Sequence, residues 1–287
     1  MLELYNKSDK IVYSKLNLNM GGNIMRKLLA SDVDGTLFVN EDVHEKSIEY
    51  IKQFREGGHI FLLCTGRNLG GVKHLINNYD IEADGFVLCN GSVVLDKNFE
   101  IIHNEKIEDK IIKRVFEESK DAKEFNFYFG DSDNIYIVDG YNSNPIISAM
   151  EVREDMTVIT IDEEEFYKNE YTANTIGVEL KNRCIEKTQN KLVELESIVG
   201  EHVSLYRNQN FIDIAPKGCS KSEGIAKVLD KYEVEDNNVY VIGDSWNDAS
   251  MFDKYKNSYT FSYAEKELQE RASSVVDAFY DCFKCIL

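Results

Sequence analysis

The chain has 287 residues, 43% of them hydrophobic and 29% charged, with only 2 prolines and a formal net charge of -18. That composition can fill one large core or two modest ones, and it excludes a disordered or linker-rich chain. The acidic balance excludes non-specific nucleic-acid binding, and a site for anionic substrates in such a field needs a strong local positive centre such as a metal ion.

Residues 1–24 are polar and irregular and are read as an extension outside the core. The segment "MGGNIM" stands before a natural first strand, and Gly-Gly codons can spell a ribosome-binding site, so translation is expected to start at Met25. No apolar run reaches the roughly 20 residues of a membrane span, and no apolar segment suits a signal peptide. A cytoplasmic protein without a membrane partner is therefore expected. The 6 cysteines are scattered, which suits reduced thiols. Cys282 and Cys285 form a lone C-x-x-C, read as structural rather than metal-binding.

From Met25 the pattern alternates. "KLLASDV" is continuously apolar, as in a strand buried on both faces. "SIEYIKQFREGG" puts Ile48, Ile51 and Phe54 on one helical face and stops at Gly57-Gly58. "HIFLLCT", "GGVKHLINNY" and "GFVLCNG" follow as strand, helix and strand. This β-α-β-α-β order predicts a parallel sheet covered by helices.

About residues 91–216 the texture changes. "SVVLDKNFEIIH", "FNFYFGDSDNIYIVDG", "TANTIGVEL" and "NQNFIDIAP" read as hairpin strands. Two amphipathic helices are expected, one in "IEDKIIKRVFEESKDAKEF" with Ile107, Ile111 and Val115, the other in "CIEKTQNKLVELESIV". "DEEEF" at 162–166 reads as solvated surface rather than a metal site. The whole is an α+β insert, an antiparallel sheet with helices on one face. From residue 217 the alternation resumes: helix "KSEGIAKVLDKY", strand "NVYVIGD", helix "NDASMFDKY", strand "SYTFSYA" and helix "EKELQERA". The predicted fold class is thus α/β, a Rossmann-like doubly wound core from 25–90 and 217–287 around the insert 91–216.

Ligands bind beyond the carboxyl ends of strands in such a sheet. Asp32-Val33-Asp34-Gly35-Thr36 follows the first strand, Thr65-Gly66-Arg67 the second, and Gly243-Asp244-Ser245-Trp246-Asn247-Asp248 a late one; Lys221 opens the helix before that late strand. Two carboxylates as close as Asp32 and Asp34 need compensation if buried.

"DVDGT", "CTGR", "SK" and "GDSWND" resemble, in order and spacing, the four motifs of the haloacid dehalogenase superfamily of phosphohydrolases. The large insert resembles the C2-type cap of its Cof-type subfamily, and "CNGSVV" the turn that leads into it. The resemblance covers about residues 25 to 275. It implies a Mg²⁺-dependent phosphatase acting on a small phosphorylated metabolite, such as a sugar phosphate or phosphorylated cofactor. It implies Asp32 as the nucleophile and Asp34 as the acid and base. Asp32, the Asp34 carbonyl and Asp244 would hold the metal; Val33, Thr65, Gly66, Lys221 and Asn247 would bind phosphate; Asp248 would orient Lys221 or a metal-bound water. Lys217 rivals Lys221, and Arg67 either pairs with an acid or touches substrate. Trp246 is read as packing, and no histidine is assigned to catalysis. Two segments depart from the family pattern: "FSYA", with Tyr263 where Asn is common, and the C-terminal "VVDAFYDCFKCIL". A phosphotransferase or mutase using the same intermediate, a receiver-like signalling domain and a silent metabolite-binding regulator stay open as alternatives. Oligomeric state, monomer or dimer, is not fixed by the sequence.

Overall fold

The computed structural model describes residues 25–121, 124–141 and 157–287. The extension 1–24, on which the expected start at Met25 turns, lies outside the described residues.

One sheet has eight strands. In spatial order they are Ser274–Val276, Asn257–Phe261, Val239–Ile242, Leu28–Ser31, Ile60–Cys64, Gly85–Leu88, Val93–Asp96 and Ile101–Asn104. The first six run parallel; the last two return antiparallel. Leu28–Ser31 lies inside the sheet, with Ser31 in register with Ile242 on one side and Leu63 on the other. The chain order reverses at this strand, so the residues after Ser31, Ile242 and Cys64 emerge together at a topological switch point.

The continuous apolar runs are explained by what lies on each face. Leu29, Phe61, Leu63 and Phe86 pack with Ile51 and Phe54 of helix Glu45–Glu56, with Val72 and Leu75 of helix Leu69–Tyr79, and with Phe283. Leu28, Ala30, Leu62 and Val87 pack on the other side with Ile225 and Val228 of helix Lys221–Tyr232 and with Met251 and Phe252. Period-two alternation along each strand thus feeds two cores instead of one core and solvent.

The hairpin Val93–Asp96/Ile101–Asn104, expected in the insert, instead extends this first sheet. Asn90 and Gly91 both take left-handed backbone (φ 53° and 93°), which turns the chain straight back onto the edge of Gly85–Leu88. A tight reversal can only pair antiparallel; a parallel return would need a long crossover.

The insert's own sheet has six strands in the order Val203–Asn208, Phe211–Pro216, Thr175–Leu180, Phe125–Gly130, Asn134–Val138 and Thr157–Ile161, antiparallel except for the last pair. Phe127, Phe129, Ile176, Val178, Ile212 and Ile214 share one face, under Ile112, Val115 and Phe116 of helix Asp109–Ser119 and Leu195 and Val199 of helix Ile185–Val199. Ile107, expected in the first of these helices, sits in a two-residue strand paired with Ala173. The acidic "DEEEF" run is the start of a short helix, Glu163–Lys168. The Asp162 side chain accepts the Glu165 amide at 2.7 Å, three glutamates face the positive helix end, and Phe166 is buried. No helix among the described residues is long and apolar enough to cross a membrane.

Candidate active site

Asp32 leaves the end of the central strand with its amide donating to the Ile242 carbonyl at 2.9 Å. Its Oδ1 accepts from Lys221 Nζ at 2.6 Å, and the same ammonium donates to Asp248 Oδ1, also at 2.6 Å. Lys221 is fully buried. Lys217, its rival, is exposed and reaches the Gly200 carbonyl instead. Ser220 caps the helix that Lys221 opens, accepting the Glu223 amide. Burial alone would lower a lysine's pKa; the paired Asp248 and Asp32 override it and hold Lys221 well above its ordinary value, hence cationic.

Asp248 is fully committed. Its Oδ2 accepts the amides of Asp244 and Ser245, each at 3.0 Å. Gly243 is small by necessity, since a Cβ there would lie 2.3 Å from the Asp248 carboxyl carbon. Asp244 in turn accepts the Thr36 hydroxyl at 2.8 Å. Gly35 has φ 83° and a Cβ there would lie 2.6 Å from Asp244, so the second glycine is dictated both by backbone and by space.

Oxygens of Asp32, Asp244 and Asp248 lie within 4.8 Å of one another. Three carboxylates thus cluster with one buried ammonium, which bonds two of them. Burial raises the Asp32 pKa well above the usual carboxylate range, with Asp248 and Asp244 adding to the effect and Lys221 opposing it. Asp244 is pushed up to about 7, first by burial and then by Asp248. This deficit of positive charge is the electrostatic signature of a cation site. All the donors are hard oxygens, which fits Mg²⁺ or a similar dication. Because Asp248 spends both oxygens on Lys221 and two amides, Asp32 and Asp244 are the carboxylates suited to hold it.

Asp34 points elsewhere. Arg67 grips it through both carboxylate oxygens, with Nε donating to Oδ2 at 2.7 Å and Nη2 to Oδ1. Arg67 is itself fixed by donation to the Gly71 carbonyl at 2.8 Å and by the Phe38 ring beneath it. The sequence left Arg67 undecided between an acid and the substrate; it holds an acid. Thr65 is buried, and its hydroxyl accepts the Arg67 amide at 3.1 Å. Val33 is buried, its carbonyl turning back to the amides of Thr36, Leu37 and Phe38.

The insert delivers a residue that the sequence reading missed. Asp213 is buried on strand Phe211–Pro216, on the face opposite Ile212 and Ile214. Its Oδ2 accepts from Asn90 Nδ2 at 3.1 Å and from Asn247 Nδ2 at 3.4 Å, and it lies 3.0 Å from where a Gly66 Cβ would be. Burial raises its pKa. The available signal was an aspartate inside an otherwise apolar strand. Asn247, expected to donate to phosphate, gives its amide hydrogens to Asn90 and Asp213, while its Oδ1 is buried without a hydrogen-bond partner among the described residues.

Trp246 packs, as expected: its indole donates to Glu265 at 2.9 Å and lies between Arg207 and Arg271. Tyr263, in the segment that departs from the family pattern, donates its hydroxyl to the Gly35 carbonyl and so ties that segment to the loop of Asp34. Cys282 is buried and Cys285 exposed, both free.

The model of the haloacid dehalogenase-like hydrolase family matches residues 29–281. The chain belongs to that family. It is a phosphatase of the haloacid dehalogenase type, with the fold of Cof-type members. Among curated proteins it is similar to the 5-amino-6-(5-phospho-D-ribitylamino)uracil phosphatase YwtE of Bacillus subtilis, 23% identical over 274 residues, covering 87% of this chain and 92% of the relative. Among solved structures it is similar to a HAD/COF-like hydrolase from Plasmodium vivax (TM-score 0.77, 21% identity, 91% of this chain and 95% of the other). It is also similar to a HAD subclass IIB sugar phosphatase (TM-score 0.72, 20% identity, 89% and 94%). These structural likenesses show the fold.

Proposed function

We propose that this phosphatase hydrolyses phosphate monoesters of small metabolites, sugar phosphates or phosphorylated cofactors, through an aspartyl-phosphate on Asp32 and with Mg²⁺ as cofactor. The observation that carries the reading is the pairing of Asp32, at the end of the central strand, with the fully buried cation of Lys221. An oxygen of Asp32 attacks phosphorus, and the ester oxygen departs with a proton from Asp34. A water then gives a proton to Asp34 and attacks the same phosphorus, freeing phosphate and restoring Asp32. Asp32, Asp244 and the Asp34 carbonyl would hold Mg²⁺, which when bound neutralises phosphoryl oxygens. Lys221, the Thr65 hydroxyl, the Val33 and Gly66 amides and Asn247 would bind phosphate, with Asp248 fixing Lys221.

The insert acts as the cap over this site. Tyr128, Gly177, Asp213 and Tyr206 stand side by side across three strand pairings on one face of its sheet. That row, with a buried carboxylate in it, suits a leaving group that carries hydroxyl or amino donors. The relative named for a phosphorylated ribitylaminouracil and the sugar phosphatase neighbour act on such compounds, which supports the class. The test is a panel of phosphorylated metabolites assayed with Mg²⁺, with Asp32→Asn as the control. Turnover of at least one small monoester that vanishes in Asp32→Asn is expected; equal turnover in the variant would sink the assignment.

A further inference from the structure

A second donor cluster lies away from the catalytic carboxylates. His103 lies in the edge strand Ile101–Asn104, Glu105 follows that strand, and Cys219 lies in the loop before the Lys221 helix. Their ligand atoms all fall within 4.8 Å of one another. His103 Nε2 is 3.5 Å from Glu105 Oε2, and Cys219 Sγ is 3.7 Å from the same oxygen. A tetrahedral centre with zinc-like bond lengths needs neighbouring donors roughly 3.3–3.6 Å apart, and the two separations from Glu105 are already near that size.

A second observation concerns the same space. His103 Nε2 is buried and makes no hydrogen bond among the described residues. This nitrogen, with the Glu105 carboxylate 3.5 Å away but no hydrogen bond to it, is costly to bury unless something else takes its lone pair. Burial and the nearby Lys227 lower the His103 pKa, and Glu105 opposes them.

The frame around the donors is fixed. The Cys219 amide donates to the Pro216 carbonyl at 3.0 Å across a turn with Gly218 at φ 83°, and Tyr206 donates to the Cys219 carbonyl. The Glu105 amide donates to the Ser92 carbonyl at 2.9 Å.

We propose that His103, Glu105 and Cys219 form a site for a borderline-soft divalent cation, Zn²⁺ by preference, with solvent as the fourth ligand. Nitrogen, oxygen and sulfur donors together select zinc over magnesium. A thiolate and a carboxylate neutralise the dication, so Lys227 faces a centre without net charge. The cation ties the edge strand of the core sheet to the loop that carries Lys221, two residues beyond Cys219.

Co²⁺ serves as the spectroscopic stand-in for Zn²⁺, on the full chain kept reduced. Cobalt bound by the catalytic carboxylates has no thiolate and gives no sulfur-to-metal charge-transfer band, so the part of the near-ultraviolet band that depends on Cys219 reads this site. One equivalent of band, displaced by Zn²⁺, is expected in the unaltered chain and is lost in Cys219→Ser. In His103→Gln the affinity for Co²⁺ falls at least about tenfold. Absence of the band in the unaltered chain, or its persistence in Cys219→Ser, overturns the proposal. If Cys219→Ser fails to fold, His103→Gln and Glu105→Gln decide alone, and unchanged affinity in both overturns it.

Discussion

Arg67 holds Asp34 by two parallel N–H···O bonds while its third nitrogen is anchored on Gly71. A guanidinium fork matches a carboxylate in a way an ammonium cannot. The pair keeps Asp34 in one orientation, although its side chain is 48% exposed. In the proposed reaction, Asp34 has to exchange this grip for the substrate before it gives a proton to the leaving group. Arg67→Lys keeps the charge but not the fork, so positioning of the acid suffers. Turnover is expected to fall by about tenfold, on the order of 1.4 kcal/mol in the barrier, with KM changed less than kcat. Steady-state kinetics on the best substrate of the panel decides; a change confined to KM would mean that Arg67 serves substrate binding.

Asp32 and Asp34 are separated by one residue yet belong to different networks, one with Lys221 and one with Arg67. Their variants should therefore differ. Under the proposed mechanism, Asp34→Asn should keep any stabilisation that Mg²⁺ brings and lose most turnover. Asp32→Ala should lose both. Thermal unfolding with and without Mg²⁺, alongside turnover, separates them. Equal loss of Mg²⁺ stabilisation in both variants would count against Asp32 as the side-chain ligand.

Much of this site was legible because strand ends converge by topology. Asp32, Thr65 and Asp244 each follow an apolar run, and a parallel sheet places such ends side by side. Lys221 was legible as a motif residue, but its complete burial between two carboxylates depends on packing that no local pattern encodes. Asp213 was missed because it arrives from the other sheet, more than a hundred positions after Asn90, its partner. The hairpin Val93–Asn104 was read as part of the insert because its texture is that of any hairpin; which sheet edge it joins is decided by the turn at Asn90-Gly91. The parallel pairing of Thr157–Ile161 with Asn134–Val138 likewise follows from chain path, not from composition.

Asp244 supplies a pH dependence. Its pKa is raised from 3.8 to about 7 in the folded chain without a cation. The native state therefore binds the proton more tightly than the unfolded state does. A raised carboxylate contributes stability at low pH that is lost as pH rises through that window, and is gone above about 7. A dication held by the same carboxylates, as proposed, would offset this loss and compete with the proton. Stripped of divalent cations, the chain should melt at lower temperature at about pH 8 than at about pH 5.5, and Mg²⁺ should raise the melting temperature more at the higher pH. An equal Mg²⁺ effect at both would show that the cation does not meet Asp244.

Arg207 and Glu265 join the two sheets. Arg207 belongs to strand Val203–Asn208 of the insert and donates twice, at 2.8 and 2.7 Å, to Glu265 beyond the core strand Asn257–Phe261. Trp246 donates to the same carboxylate and lies against the guanidinium, so the clasp touches the loop of Asn247 and Asp248. Arg207 and Trp246 lower the Glu265 pKa, with the hydrogen bond from Arg207 the largest cause. Glu265 is more than a third exposed, so solvent screens much of the attraction. Glu265→Gln should cost about 1 kcal/mol, a melting shift of roughly 2–4 °C in a chain of this size. Its effect on kcat/KM should exceed what that shift explains if the clasp sets how the cap meets the core. Loss of stability with kcat/KM unchanged would make the clasp a fastening only, with no part in catalysis.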